Sequence, residues 1–134
     1  MVRGILALSG DLHASFVRTS RVGRRPVLPE LTTTAVTAPS FGSHARRKAK
    51  LPVTLTTAIL KVLNRDIGFI DLRRHGFSLL TIEPERIRVD LHLLDHIDRP
   101  TPPSVEVRHF ELAAGQSTLT PVTTRTSRPM SPSG

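Results

Sequence analysis

An α+β fold built mostly from strands, with one clear hairpin and one helix, is what this sequence predicts. Three observations carry it. Residues 86–94 (RIRVDLHLL) alternate strictly, with Ile87, Val89, Leu91 and Leu93 on one side and Arg86, Arg88, Asp90 and His92 on the other. That is the period of a half-buried antiparallel strand. Residues 52–63 place Leu55, Ile59, Val62 and Leu63 at i, i+4, i+7 and i+8, the spacing of one helical stripe. Finally, the apolar run Ile5-Leu6-Ala7-Leu8 stops at Gly10-Asp11-Leu12-His13, as a buried strand does when it delivers polar groups to a site at its carboxyl end.

The elements follow in order. Residues 4–9 read as a short buried strand, apolar on both sides, and residues 14–20 continue as extended or helical chain. Arg21 to Pro29 reads as a loop because it holds Gly23, Pro26 and Pro29. Glu30 to Thr37, rich in Thr and Val, reads as a strand broken by Ala38-Pro39-Ser40-Phe41-Gly42-Ser43. In the helix, Pro52 suits the first turn and Asn64 the stop. Thr54, Thr56 and Thr57 lower its intrinsic propensity, so packing must hold it. Phe77 to Ile82 and Arg86 to Leu94 form the hairpin around Glu83-Pro84-Glu85. Val105 to Leu112 adds an edge strand whose phase slips at His109 and Phe110. From Ala113 to Gly134 the chain is dominated by Ser, Thr, Pro, Gly and Arg and reads as a disordered tail, which leaves a domain of residues 1–112.

Composition narrows the function classes. With 134 residues the chain is one domain at most, and five Phe, no Tyr, no Trp and eleven Pro make a thin core. Cysteine is absent, which removes disulfides, thiolate metal sites and cysteine nucleophiles. No apolar run reaches the about 18–20 residues of a membrane span, and the run after Arg3 falls short of the about 7–15 residues of a signal peptide. The net charge of +8 invites weak, salt-sensitive binding to polyanions. Its clusters, Arg18, Arg21, Arg24, Arg25 and then Arg46, Arg47, Lys48, Lys50, sit in turn-rich stretches without interleaved aromatics, the pattern of solvated loops. A small basic nucleic-acid-binding or interaction protein is the alternative reading that this charge supports.

Asp11 and His13 are the candidate metal ligands. Two residues apart, they leave the same face of an extended backbone, and a carboxylate beside an imidazole is a donor pair of hydrolytic metal centres. Other polar groups read as structural. His92 lies on the polar face of its strand as a cross-strand partner. Asp95, His96 and Asp98 read as a strand-end turn, His75 as a turn residue beside Gly76, and Ser40 and His44 as loop residues.

Several blocks stand in a recognisable order: SGDLHASF (residues 9–16), ELTTTAVTAPSF (30–41), FIDLRRHGF (69–77), SLLTIEPERIRVD (78–90) and LHLLDHIDRP (91–100). This order resembles the C-terminal part of the alkaline phosphatase D (PhoD-like) metallophosphoesterases, over roughly residues 5–100. The resemblance implies the C-terminal part of an αββα sandwich and the hydrolysis of phosphate esters at a metal cluster, with calcium and iron as its ions. It makes Asp11 and His13 the last ligands of a set whose other members, on an Asp-bearing strand, a Gly-Asp motif and a Gly-Asn-His-type motif, lie outside this sequence. It also brings Ser40 and His44 near the rim of the site. A C-terminal fragment is therefore expected, inactive alone or dependent on a separately encoded N-terminal half, and of marginal stability because its first strand lacks neighbours. Family members are often exported.

Overall fold

The strict alternation of residues 86–94 becomes the centre of the molecule. The computed structural model describes residues 5–42, 47–48 and 52–123. In chain order the elements are β1 (Ala7–Ser9), β2 (Ser15–Val22), β3 (Arg25–Thr32), α1 (Val53–Leu63), β4 (Ile67–Asp71), β5 (His75–Ile82), β6 (Arg86–Leu94), β7 (Val105–Ala113) and β8 (Thr120–Val122). They form two four-stranded sheets, ordered β1-β3-β2-β4 and β5-β6-β7-β8. The second is a plain antiparallel meander.

The sheets pack face to face. Val17 and Leu31 of the first meet Val89, Leu91, Leu93, Phe110 and Leu112 of the second, with Leu119 closing the end. Phe69 and Phe110 bridge the layers edge to face at 5.7 Å, a favoured aromatic geometry. Because side chains alternate along a strand, Phe16 and Ile70 point the other way. There they join Ala14, Leu72, Val53 and Leu60 in a smaller cluster beneath α1. The described residues thus make three layers, helix on sheet on sheet. A second helical layer, which an αββα sandwich requires, is absent among them: Phe77 and Leu79 on the outer face of the second sheet stay 48% and 53% exposed.

The hairpin matches its expected strands closely, with Ile82 opposite Ile87 and β5 beginning two residues early at His75. His92 is the cross-strand partner expected of it, stacked on Phe77 at 4.6 Å between ring centroids. Asn64 ends the helix, its backbone and side-chain N–H groups both donating to the Leu60 carbonyl. Extended chain was one of the two expectations for residues 14–20, and β2 is extended.

Other expectations are corrected. Arg21 to Pro29 is no loop but the turn of a second hairpin and much of β3. Val22 faces Arg25 across Gly23-Arg24, and Gly23 takes φ +60° at the first turn position, where tight hairpins need it. The prolines are tolerated because β1 pairs with β3 only at Glu30–Thr32, so alongside Pro26 and Pro29 one side of β3 has no ladder to supply. β3 ends at Thr32, so residues 33–37 are irregular rather than strand. β4 had no counterpart among the expected elements. β1 is three residues long and lies at a sheet edge, with Leu8 60% exposed, so it is not a buried central strand here.

The helix also sits differently from its apolar stripe. Pro52 occupies the N-cap position rather than the first turn. Val53 and Leu60 face the sheet, while Leu55, Ile59, Val62 and Leu63 are exposed. Thr56 and Thr57 turn their hydroxyls back onto the carbonyls of Pro52 and Val53, which leaves them tolerable on the inner side. β7 shows the expected change of apolar phase, Val105 being exposed while Phe110 and Leu112 on the opposite face are buried, along a ladder that stays continuous to Ala113; it is not an edge, because β8 pairs beyond it. The expected disorder from residue 113 therefore does not hold through residue 123, where Leu119 is buried. Residues 124–134 of the expected tail lie outside the described residues. No helix among the described residues is long and apolar enough to cross a membrane.

Candidate functional site

One end of the sandwich gathers the polar chain. The carboxyl ends of β1, β3 and β4 and the start of β2 lie there, with the β4–β5 connection running from the first sheet to the second. Gly10 to His13 form a turn, not extended backbone, so the expectation that Asp11 and His13 share a strand face is replaced by loop geometry. His13 takes φ +50°, a left-handed conformation that costs a non-glycine residue about 1 kcal/mol and concentrates at functional sites. It is held there from two sides. Its ring Nδ1 lies 3.2 Å from the Pro39 carbonyl oxygen, and its own carbonyl accepts the Phe41 N–H at 3.0 Å. A carbonyl only accepts, so Nδ1 carries a proton, and in the neutral ring Nε2 is then the electron-pair donor. Asp11 is exposed, with no hydrogen bond or ion pair among the described residues.

Residues 33–42 are stitched across this end like a strap. Thr33 donates its N–H to the Ser9 carbonyl at 2.8 Å and shares a hydrogen bond with the Ser78 hydroxyl at 2.8 Å, joining the two sheets. The Thr34 hydroxyl donates to the Arg74 carbonyl at 3.1 Å, and His75 Nε2 lies 3.0 Å from the Ala38 carbonyl. Gly42 N–H donates to the Leu72 carbonyl at 2.8 Å. Ser40 is buried within the strap. His44, Arg46 and Lys50 lie outside the described residues.

Beneath the strap lies an ionic cluster that the sequence reading passed over. Asp71 Oδ1 accepts the N–H groups of Arg73 and Arg74, each at 2.9 Å, and Oδ2 accepts Arg74 Nε at 2.6 Å. Arg74 also pairs with Glu106 of β7, so one guanidinium ties the first sheet to the second. Burial pushes the Asp71 carboxyl up, but the Arg74 and Arg73 N–H groups and the Arg74 guanidinium outweigh it and leave the net shift downward. Glu106 is lowered chiefly by its bond to Arg74. Ser15, two residues after His13 and opposite Asp71 in the β2–β4 ladder, has a buried hydroxyl with no partner among the described residues. The only advance signal was FIDLRR itself, where an aspartate three residues before an arginine can close an Asx turn and an ion pair together.

The remaining acidic and basic groups behave as structural. Asp95 accepts from His96 Nδ1 at 2.6 Å and from the Ser104 N–H at 3.0 Å. Those bonds, His96 first, pull its carboxyl down to about 2. His96 Nε2 turns to Thr101, so this is the strand-end turn expected. In the first basic cluster Arg18 pairs with Glu30 at 3.3 Å and Arg21 with Asp66 at 3.1 Å, leaving less free positive charge than the sequence suggested.

The acid limb of stability follows from the lowered carboxyls, Asp71, Asp95 and Glu106 among them. Each binds its proton less readily folded than unfolded, so its stabilisation is present above the ordinary values of 3.8 and 4.5 and lost as pH falls through the folded values. Melting temperature followed by circular dichroism is expected to hold from neutral pH to about 5 and to fall below about 4. Asp71→Asn should flatten part of that fall. Equal melting at about pH 3 and at neutral pH would contradict the cluster's role.

No family model matches the chain, and no curated protein matches it. A solved structure described as "Structure of PhoD" does, with a TM-score of 0.66 and 21% identity, over 92% of this chain and 23% of that one. The chain has the fold of part of PhoD. It spans less than a quarter of the PhoD chain.

By donor chemistry alone, Asp11 offers an unengaged carboxylate and His13 an imidazole whose Nδ1 meets a carbonyl, both types of group that can ligate a metal. They do not fill a coordination shell. Among the described residues no three or more His, Cys, Asp or Glu side chains come together to hold an ion.

Proposed function

We propose that this chain is the C-terminal part of a metal-dependent phosphate-ester hydrolase of the alkaline phosphatase D type. Asp11 and His13 supply the last two protein ligands of its metal cluster. The other ligands come from polypeptide beyond these 134 residues, either the preceding part of the same protein or a separately encoded half. What carries the reading is the state of His13: a proton on Nδ1 given to Pro39 and a strained backbone held by Phe41, beside a carboxylate with no other task. The fold shared with PhoD supports it. Calcium and iron are the ions that the resemblance suggests. When bound, such ions acidify a water and neutralise charge on phosphoryl oxygens. The chain's own contribution is to hold a carboxylate and an imidazole at the rim and to brace them with the strap.

Two exposed features fit the same reading. Among the described residues, the outer edge of β1, which pairs in parallel with β3, has no partner strand. The stripe Leu55, Ile59, Val62 and Leu63 on α1 is apolar and uncovered. In this reading both are surfaces for the polypeptide that carries the other ligands.

The test is hydrolysis of bis(p-nitrophenyl) phosphate with calcium and iron, on the chain alone and mixed with the segment encoded upstream. Activity is expected only in the mixture. It should fall to background with Asp11→Ala or His13→Ala, since loss of even a supporting residue typically costs about 10–100-fold. Full activity of a mixture carrying both substitutions would overturn the assignment.

A further inference from the structure

The strap carries an arrangement that the ligand pair does not use directly. Two imidazoles clamp two successive carbonyls: His75 Nε2 at Ala38 O, 3.0 Å, and His13 Nδ1 at Pro39 O, 3.2 Å. The residues between those carbonyls are the stiffest a chain offers. Proline locks its own φ, and it restricts the residue before it to extended conformations. Fixing the Ala38 carbonyl therefore limits where the Pro39 carbonyl can point. The His75 end is itself anchored. It opens β5 on the second sheet, opposite Leu94, and the neighbouring Gly76 N–H reaches the Ala35 carbonyl at 3.4 Å.

We propose that His75 is a positioning residue for His13. Acting through the Ala38-Pro39 unit, it fixes the hydrogen bond that keeps the His13 proton on Nδ1 and aims Nε2 outward from the turn. The second sheet thereby orients a group on the first, about sixty residues away in sequence. The role of Nε2 as a ligand rests on the function proposed above; the orientation of the ring does not.

The test reads the ring itself. In the full chain, labelled with nitrogen-15 at histidine, two-bond proton–nitrogen correlations are recorded at about pH 8, above the ordinary imidazole range. In the parent protein His13 should be a single Nδ1–H tautomer. In His75→Ala that tautomer should be lost to a mixture, and the Phe41 amide, which donates to the His13 carbonyl, should shift. His75→Gln, whose amide can still donate to Ala38, should restore the single tautomer. His92→Ala, which alters an imidazole on the outer face, should leave His13 unchanged. If His75→Ala does not fold, Pro39→Gly decides the matter, because it keeps both imidazoles and removes the stiffness between them. A single Nδ1–H tautomer persisting in folded His75→Ala, or in Pro39→Gly, overturns the proposal. A ring that responds as described in a complex that never hydrolyses phosphodiester would leave the positioning intact and remove the ligand role.

Discussion

Gly76→Ala should be among the most damaging single substitutions in this protein, costing about 3 kcal/mol or more in urea denaturation. Gly76 has φ +154°, a conformation that L side chains rarely adopt. A β-carbon there would stand 1.8 Å from the His92 carbonyl oxygen, 2.9 Å from its carbon and 3.3 Å from Leu93 Cα. All three are backbone atoms of β6, so no side-chain rotation relieves the clash. The start of β5 would have to leave β6, taking with it the Gly76 bond to Ala35 and the His75 bond to Ala38. The damage should therefore reach the strap as well as the hairpin. A change in unfolding free energy below about 0.5 kcal/mol would mean that the two strands part more easily than their ladder suggests.

Leu91→Ala should cost about 3 kcal/mol, a large share of the stability of a small domain. Leu91 is fully buried on the central strand β6, in the cluster that holds Val17 and Leu31 of the opposite sheet. Truncation there removes apolar contact from both layers and leaves a cavity that neither rigid sheet can close. Leu79→Ala on the next strand is the internal comparison. Its side chain is 53% exposed on the outer face, so it should cost less than about 1 kcal/mol. Urea unfolding of the two variants checks the ordering. Comparable losses would mean that the outer face of the second sheet is covered in solution, for instance by self-association.

How much of this could be read in advance differs by element, and the reasons are physical. Residues 86–94 were legible because a period of two on a half-buried strand leaves no other consistent placement: Ile87, Val89, Leu91 and Leu93 must share a face. Pro26 and Pro29 misled because proline usually ends a strand, whereas here the neighbouring ladder stops short of both. Leu119 misled for a related reason. One leucine among Ser, Thr and Gln shows no period, yet it is enough to pin a three-residue strand to a core that already exists. The stripe on α1 was read correctly as a stripe, but the side that meets the sheet is Val53 and Leu60. Amphipathic spacing shows where apolar groups lie on a helix. Which of them is covered depends on what lies opposite.

The site divides in the same way. Gly10, Asp11 and His13 were legible as a polar group ending an apolar run, since the chemistry of such a triplet is local. The Asp71–Arg74 turn is local too, but its meaning appears only when Glu106 arrives from β7. By itself the sequence determined the hairpin of residues 75–94, the helix and the residue types offered as ligands, because propensity, periodicity and donor chemistry act over a few neighbouring residues. Tertiary structure alone decided that His13 is turned by Pro39, that His75 grips the next carbonyl, and that one arginine ties two sheets together. Those contacts join residues tens of positions apart, and no local pattern encodes a partner that only packing brings within hydrogen-bond reach.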